Sequence, residues 1–381
     1  MKKFFFLFSF FLCFSISKIN AQLLSNSAKI HLITCDVGEE IYSLFGHTAI
    51  RVSDSEKNID EIYNYGTFDG FEDNFELKFA QGKLNYWLSK QTLENFLMEY
   101  QYYNRTVYQQ TINLTNDEVN AIYTFLLENF KPENRKYQYE FFYDNCATRV
   151  RDVFQKTLEN TVVWNNHPWH NQFTFRQLIA KDLVKTPLTH LGIDLVLGKK
   201  IDIHVSTQEL MFHPIYMMET FDLAQRKIGD RTENLVSEKT ILFQGVPSNL
   251  SSTNIPLYVC WGIFFLSVVI TFFKLNKVGY VFDFTLSYLF GLLGIVLLLM
   301  WFATDHSATK FNFNLLWASP LLLLFPFLHN KQSKQGFAAL TAILFFVFAG
   351  SFILPQEFNV AVTPLVLSLG LRYFHNYKKL R

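Results

Sequence analysis

The sequence predicts two unlike parts: an exported α+β head, and behind it an all-α membrane bundle of about five helices. Three observations carry this. Met1-Lys2-Lys3 runs directly into the apolar stretch Phe4–Ile16. Residues 22–254 mix strand-like alternation with helix-like spacing. From residue 255 onward the chain is dominated by long apolar runs.

The first stretch has the positive and apolar regions of a signal peptide, and Ala21 before Gln22 offers the small residue at which such segments are cut. We therefore read 1–21 as a cleaved signal and 22–160 as the first globular unit. Ala28–Cys35, His47–Val52 and Ile59–Tyr65 alternate as strands, with a turn or short helix at Gly38–Phe45 and a polar turn at Ser53–Asn58. Arg105–Leu114 reads as a further strand. Thr115-Asn116-Asp117-Glu118 is a capping box that opens a helix to about Asn129. Tyr137–Phe142 reads as a strand, and Cys146–Leu158 as a helix with Val150, Val153 and Phe154 on its apolar side. Residues 161–254 read as a periplasmic extension with helices at Thr174–Val184 and Ile215–Lys227 and a strand at Lys239–Phe243. Ser248–Asn254 is the expected hinge to the membrane domain, 255–381.

Apolar runs occupy about 256–273, 281–302, 313–328, 337–354 and 358–371. The third and fifth are short and contain Pro320, Pro326 and Pro364, which suit tilted, kinked or re-entrant segments. With the head outside, the inner segments hold Lys274, Lys277, Lys331, Lys334, Arg372, Lys378, Lys379 and Arg381, whereas the outer loops hold only Lys310. This asymmetry predicts an inner-membrane protein with a large periplasmic N-terminal domain and a cytoplasmic C-terminus. No ionisable residue is expected deep within a span, which speaks against an ion pathway. The outer loop around His306 faces the same side as the head, where its polar groups are placed to meet a lipid headgroup.

The net charge of +1 hides a split. Nine Lys/Arg and three Asp/Glu lie from residue 255 onward and three lysines lie in 1–21, which leaves the head at −8. An acidic head excludes nucleic acid as a natural partner. Cys35, Cys146 and Cys260 remain after the signal; an odd, sparse set argues for a free thiol over a disulfide framework, although a Cys35–Cys146 bridge is open in an oxidising compartment. No Cys/His spacing suits a metal, and no cofactor is implied.

Two stretches read as halves of one thiol site: Phe45-Gly46-His47-Thr48 and Asp144-Asn145-Cys146-Ala147. Cys146 falls at a helix start, where unpaired N–H groups and the helix dipole favour thiolate and lower its pKa. His47 opens a strand and is the candidate base. Asn64 on the adjoining strand, or Asp69 after it, is a candidate to orient the imidazole. The backbone N–H groups of Cys146 and Ala147, with Tyr65, are candidate oxyanion donors. Arg149 and Arg151 are candidates for a phosphate or acidic headgroup. Taken singly, His47 and Cys146 fit ordinary core positions better than catalytic ones; together, at a strand start and a helix start in an exported chain, they point to a site.

The stretch from Leu32 to Val52, with Asp144–Asp152, Asn64-Tyr65-Gly66 and Asn314-Leu315-Leu316-Trp317, closely resembles the Lnb-type lipoprotein N-acyltransferases. The histidine-before-cysteine order is also similar to circularly permuted papain-like, NlpC-like folds such as the lecithin:retinol acyltransferase group. The resemblance implies a cysteine-dependent acyltransferase with Cys146 as nucleophile and His47 as base; Asn64 as a third catalytic residue and Tyr65, Arg149 and His306 as substrate contacts are readings of the residues themselves. Its implied partners are a phospholipid acyl donor, a diacylated lipoprotein acceptor and the membrane. A membrane-tethered cysteine peptidase or amidase acting on cell-wall peptides is the alternative within enzymes. A non-catalytic membrane interaction protein is the alternative outside them.

Overall fold

The computed structural model describes residues 24–71, 73–158, 161–246, 252–327, 334–350 and 353–379. The expected signal segment 1–21 and most of the expected hinge lie outside the described residues.

The head is built on a seven-stranded sheet. Its strands are β1 (Lys29–Cys35), β2 (His47–Asp54), β3 (Ile59–Thr67), β4 (Asn85–Thr92), β5 (Val107–Ile112), β6 (Lys136–Gln138) and β10 (Val236–Phe243). They lie in the order β10-β5-β1-β2-β3-β4-β6, antiparallel at every pairing. Strands β7 (Val162–Val163), β8 (Gln225–Ile228) and β9 (Arg231–Asn234) form a separate small sheet. Helix α1 (Phe75–Gln81) leads into β4, and α2 (Leu93–Tyr102) follows it.

Both faces of the large sheet are covered. On one, α3 (Asn116–Phe130) and α4 (Cys146–Thr157) bury Ile122, Leu126, Val150, Val153 and Phe154 against Ile50, Val52 and Tyr63. On the other, Phe96 and Tyr100 of α2 pack on Ile33, Cys35, Ile62 and Val107. Alternation along the strands sends successive side chains to opposite faces, so each strand feeds both layers. Every fully buried large side chain here contributes about 1.5–3 kcal/mol.

The predicted capping box is present: Thr115 and Glu118 satisfy each other's backbone N–H groups. Two elements differ from expectation. Tyr137–Phe142 does not continue as a strand; β6 stops at Gln138 and the chain turns, pinned by paired backbone bonds between Glu140 and Asp144. The helix expected at Ile215–Lys227 ends at Leu223, and the residues after it form β8. Residues 161–246 also hold α5 (Phe175–Asp182), α6 (Pro187–Val196), α7 (Thr207–Leu210) and α8 (Pro214–Leu223). Their last strand, β10, returns to the edge of the main sheet beside β5.

The C-terminal part is helical and apolar. It contains α9 (Ile255–Phe272), α10 (Asn276–Phe302), α11 (Lys334–Gly350) and α12 (Val362–Lys379). Among the described residues, α9 and α10 are long and apolar enough to cross a bilayer. The third apolar run winds as 3-10 turns, Phe313–Leu316 and Pro320–Phe327, because Pro320 and Pro326 cannot continue an α-helical ladder. The bundle core gathers Leu297, Trp317, Phe325, Phe337 and Tyr373.

Asp283 lies inside the second apolar run, near its start rather than at mid-span. It sits inside α10, 3% exposed, and takes Arg372 of α12 in a two-pronged pair at 2.6 and 2.9 Å. An acid at that depth is tolerated because its charge is matched within hydrogen-bonding distance.

The head is tied to the bundle at two places. Near β6, the backbone N–H of Asp305 donates to the Gln81 carbonyl (2.9 Å), and the Ser307 hydroxyl donates to the Glu140 carboxylate. Near α6, Gly198 N–H donates to the Ala308 carbonyl (2.9 Å), and Asn312 Nδ2 donates to the Leu195 carbonyl (2.7 Å). Asn359 Nδ2 adds a bond to Asp194 (2.8 Å), an acid that also pairs with Arg176 (2.9 Å).

Candidate thiol site

Cys146 is the first residue of α4. The local sequence explains why the helix starts there. Asn145 has extended backbone, and its Oδ1 accepts from the Thr148 N–H (2.8 Å), while Thr148 Oγ1 accepts from the Asn145 N–H (2.7 Å). Asn145 Nδ2 then donates to the Phe141 (2.7 Å) and Phe212 (2.8 Å) carbonyls, anchoring the preceding turn. Each end of the Asn145 amide is occupied, so the cysteine has a fixed position.

His47 is the first residue of β2, opposite Cys35 in β1. Its Nε2 lies 2.5 Å from Oδ1 of Asn64 on β3. The amide oxygen only accepts, so Nε2 carries the proton and Nδ1 keeps its lone pair. Asp69, the other orienting candidate, instead accepts from the Phe71 N–H (2.9 Å).

Gly66 brings the two halves together. Its φ is +92°, a conformation L side chains rarely adopt, and a Cβ added there would lie 3.4 Å from Cys146 Cβ and 3.9 Å from His47 Cε1. Cys146 and the His47 ring therefore both border Gly66, whose left-handed backbone favours glycine. Cys35 and Cys146 are both free thiols, so the open alternative of a bridge between them is not realised.

The expected lowering of the Cys146 pKa is overturned. Burial pushes the thiol up to about 11, against the opposing pull of the Thr48, Ala147 and Cys146 backbone N–H groups and the Arg105 guanidinium. The helix start does act in the expected direction, but one turn of dipole is weaker than full desolvation. His47 moves the other way: burial pulls it down to about 4, partly offset by the Asn64 hydrogen bond and reinforced by Arg105. The resting pair is a neutral thiol beside a neutral imidazole, with no preformed ion pair.

Tyr65 sits in the core, 2% exposed, its ring edge-on to Tyr137. Burial raises its pKa, so the phenol stays protonated. Arg149 makes a two-pronged pair with Asp144 and lies over the Tyr137 ring at 4.2 Å. Arg151 pairs with Asp152 (2.8 Å) and the Gln208 carbonyl (3.1 Å). His306 is in the outer membrane loop: Nε2 donates to the Phe79 carbonyl (3.0 Å), and the ring packs on Gly82. It touches the head beside α1 and does not approach the thiol–imidazole slot directly.

Two groups at the site escaped the sequence reading. Arg105 is 6% exposed; its Nε donates to the Asp36 carbonyl (2.9 Å), its guanidinium lies over Tyr100 at 4.9 Å, and Nη2 has no partner among the described residues. Its charge reaches both His47 and Cys146. The Tyr137 hydroxyl is likewise buried without a partner and lies 3.9 Å from the Gly66 Cβ position. Unpaired buried donors cost about 1–3 kcal/mol each. Each is a buried donor left open to an incoming oxygen.

An apolar rim lies beside the slot. Ile41 is 70% exposed, Tyr42 59%, Phe71 99%, Leu77 57% and Phe79 50%. Tyr42 meets Phe68 edge-on, which brings the 41–43 turn against the segment leading into α1. The Asp305 and His306 contacts fasten the end of α1 to the outer loop, so this rim lies at the bilayer side of the head.

Two family models match the chain. One, described as the Lnb N-terminal periplasmic domain, matches residues 16–181; the other, the Lnb transmembrane domain, matches residues 248–381. No curated protein and no solved structure matches it.

Proposed function

Since the chain belongs to the Lnb family, a family of periplasmic head plus transmembrane domain at the inner membrane, we propose that it is a lipoprotein N-acyltransferase working through a Cys146 thioester. The observation that supports this reading is the His47–Asn64 bond, which fixes the ring proton on Nε2 and leaves Nδ1 as the basic atom of the imidazole.

In the first half-reaction, Cys146 Sγ attacks the carbonyl carbon of a phospholipid acyl ester as its proton passes to His47 Nδ1. A neutral pair suits this concerted transfer, because the charge appears only as the sulfur–carbon bond forms. The developing oxyanion is met by the N–H groups of Thr48, Cys146 and Ala147 and by the spare Arg105 and Tyr137 donors. On collapse the ester C–O bond breaks, and the imidazolium returns its proton to the lysophospholipid oxygen. In the second half, the neutral α-amine of a diacylglyceryl-cysteine attacks the thioester carbon and gives a proton to His47. The C–S bond breaks, the sulfur recovers that proton, and the acyl chain is left as an amide.

The reading extends to organisation. A cysteine on a helix packed against histidine- and asparagine-bearing strands fits a permuted papain-like head, and five spans fit a periplasmic head with a cytoplasmic C-terminus. Residues 22–160 with 161–254 form the head, and 255–381 the membrane domain. Arg149 and His306 are the basic groups proposed to meet a headgroup, and Tyr65 supports Tyr137 from the core. The apolar rim favours acyl chains over cell-wall peptides as the group delivered to the slot.

The test is Cys146→Ser in the full-length protein. Incubation with phospholipid is expected to leave a hydroxylamine-labile acyl adduct on Cys146 of the wild type and none on the variant. Lipoprotein N-termini weighed by mass spectrometry are expected to lose their third acyl chain in cells carrying only the variant. An intact third chain in those cells rejects the reading.

A further inference from the structure

At the end of the bundle away from the head, a cavity of about 250 Å³ opens between α9, α10 and α12. Its floor is the Arg372–Asp283 pair, with Arg372 Nη1 also donating to Thr271 Oγ1 (2.8 Å) and Asn376 Nδ2 donating to Asp283 (2.8 Å). Asp283 is therefore fully engaged and, among the described residues, is the only acid lining the cavity. Gly279 makes the floor possible: a Cβ there would come within 2.5 Å of Arg372 Nη2.

The mouth is cationic. Lys379 Nζ donates to Asn276 Oδ1 (3.0 Å), bridging α12 to the start of α10. The Lys274 ammonium and the His375 ring make no hydrogen bond or ion pair among the described residues. The deeper wall is apolar, formed by Ile270, Phe325 and Phe337. With the Arg372 and Asp283 charges cancelling, the unmatched lysines leave a positive mouth over a greasy wall. Surface lysines that only set topology need no cavity. Here they ring one, between helices.

We propose that this cavity binds an anionic phospholipid of the cytoplasmic leaflet, its phosphate held by Lys274, His375 and Lys379 and its acyl chain laid along Ile270 and Phe337. This site is distinct from the thiol slot, which opens on the opposite side of the bundle, so its lipid is a resident and not the acyl donor. Its assignment to the cytoplasmic leaflet rests on the orientation proposed above; the binding itself does not.

The experiment measures lipid retained by full-length protein in native mass spectrometry after detergent exchange. Wild type is expected to keep phosphatidylglycerol through washes that remove phosphatidylethanolamine. Combined Lys274→Ala, His375→Ala and Lys379→Ala is expected to lower that retention on the order of tenfold. Lys310→Ala, in the outer loop, is expected to leave it unchanged. The substituted groups lie at the mouth of the cavity, outside the Arg372–Asp283 pair, and a matched melting temperature verifies folding. Equal retention by the triple variant, or no preference for the anionic lipid in wild type, overturns the proposal. Displacement of the lipid by millimolar inorganic phosphate overturns it in favour of a soluble anion. None of these readouts involves acyl transfer, so failure here leaves the thiol chemistry untouched.

Discussion

Arg105 acts on both partners of the thiol pair through one charge. It helps hold His47 down near pH 4 and draws the Cys146 thiol down against the effect of burial. Replacing it with methionine removes a positive charge from both. Protonation of His47 then becomes easier, so the acid limb of the pH–rate profile is expected to move upward from about 4. The thiol is expected to rise above about 11, and its alkylation by iodoacetamide at neutral pH to slow. A purely structural arginine would leave the position of that limb unchanged. The His47 and Cys146 motifs were legible because their residue types and neighbours are distinctive, and Asn64 because hairpin pairing puts it beside His47. Arg105 was not legible. At the start of a strand it looks like any solvated arginine, and only the fold reveals that it is buried with an unspent donor.

Among the elements, α4 shows how a cap does chemical as well as structural duty. Asn145→Ala removes the acceptor for Thr148 and both donors that hold the Phe141 and Phe212 carbonyls. The cap alone is worth about 0.5–2 kcal/mol, and each stranded buried carbonyl adds about 1–3 kcal/mol. A loss of at least about 2.5 kcal/mol in unfolding free energy is expected, with a lowered midpoint in thermal melts of the purified protein. Elements built from strong local signals were readable: the capping box of α3, the β2–β3 hairpin, the long apolar α9 and α10. The stretch from 68 to 104 was not read. Its strand β4 alternates Tyr86 and Leu88 inward with Asn85, Trp87 and Ser89 outward, but α2 follows at once and blurs the period. The return of β10 to β5 pairs residues more than a hundred positions apart, beyond the reach of any local pattern. The Asp283–Arg372 pair lay hidden for the same reason.

For the molecule as a whole, acid sensitivity follows from two buried imidazoles. His31, 5% exposed and bonded to Thr111 and Ser53, is pulled down to about 4 by burial, chiefly, and by Arg51; His47 is also pulled down to about 4. Each would titrate near 6.5 when unfolded. The unfolded chain therefore binds more protons than the folded one between these values, and stability falls as pH drops from about 6.5 toward 4, below which the penalty is complete. Thermal melts of the full-length protein in detergent are expected to show a falling midpoint across this window. His31→Gln is expected to flatten the fall.

The double fastening of the head to the outer loop, at α1 and at α6, has a kinetic corollary. On the proposed reaction, Cys146 clamped at constant height would meet only molecules that diffuse within the plane beneath it. Its turnover then follows the mole fraction of donor in that plane and ignores the total amount in the tube. Mixed micelles diluted with inert detergent would starve the enzyme even at constant bulk lipid, while crowding both substrates into small patches would feed it.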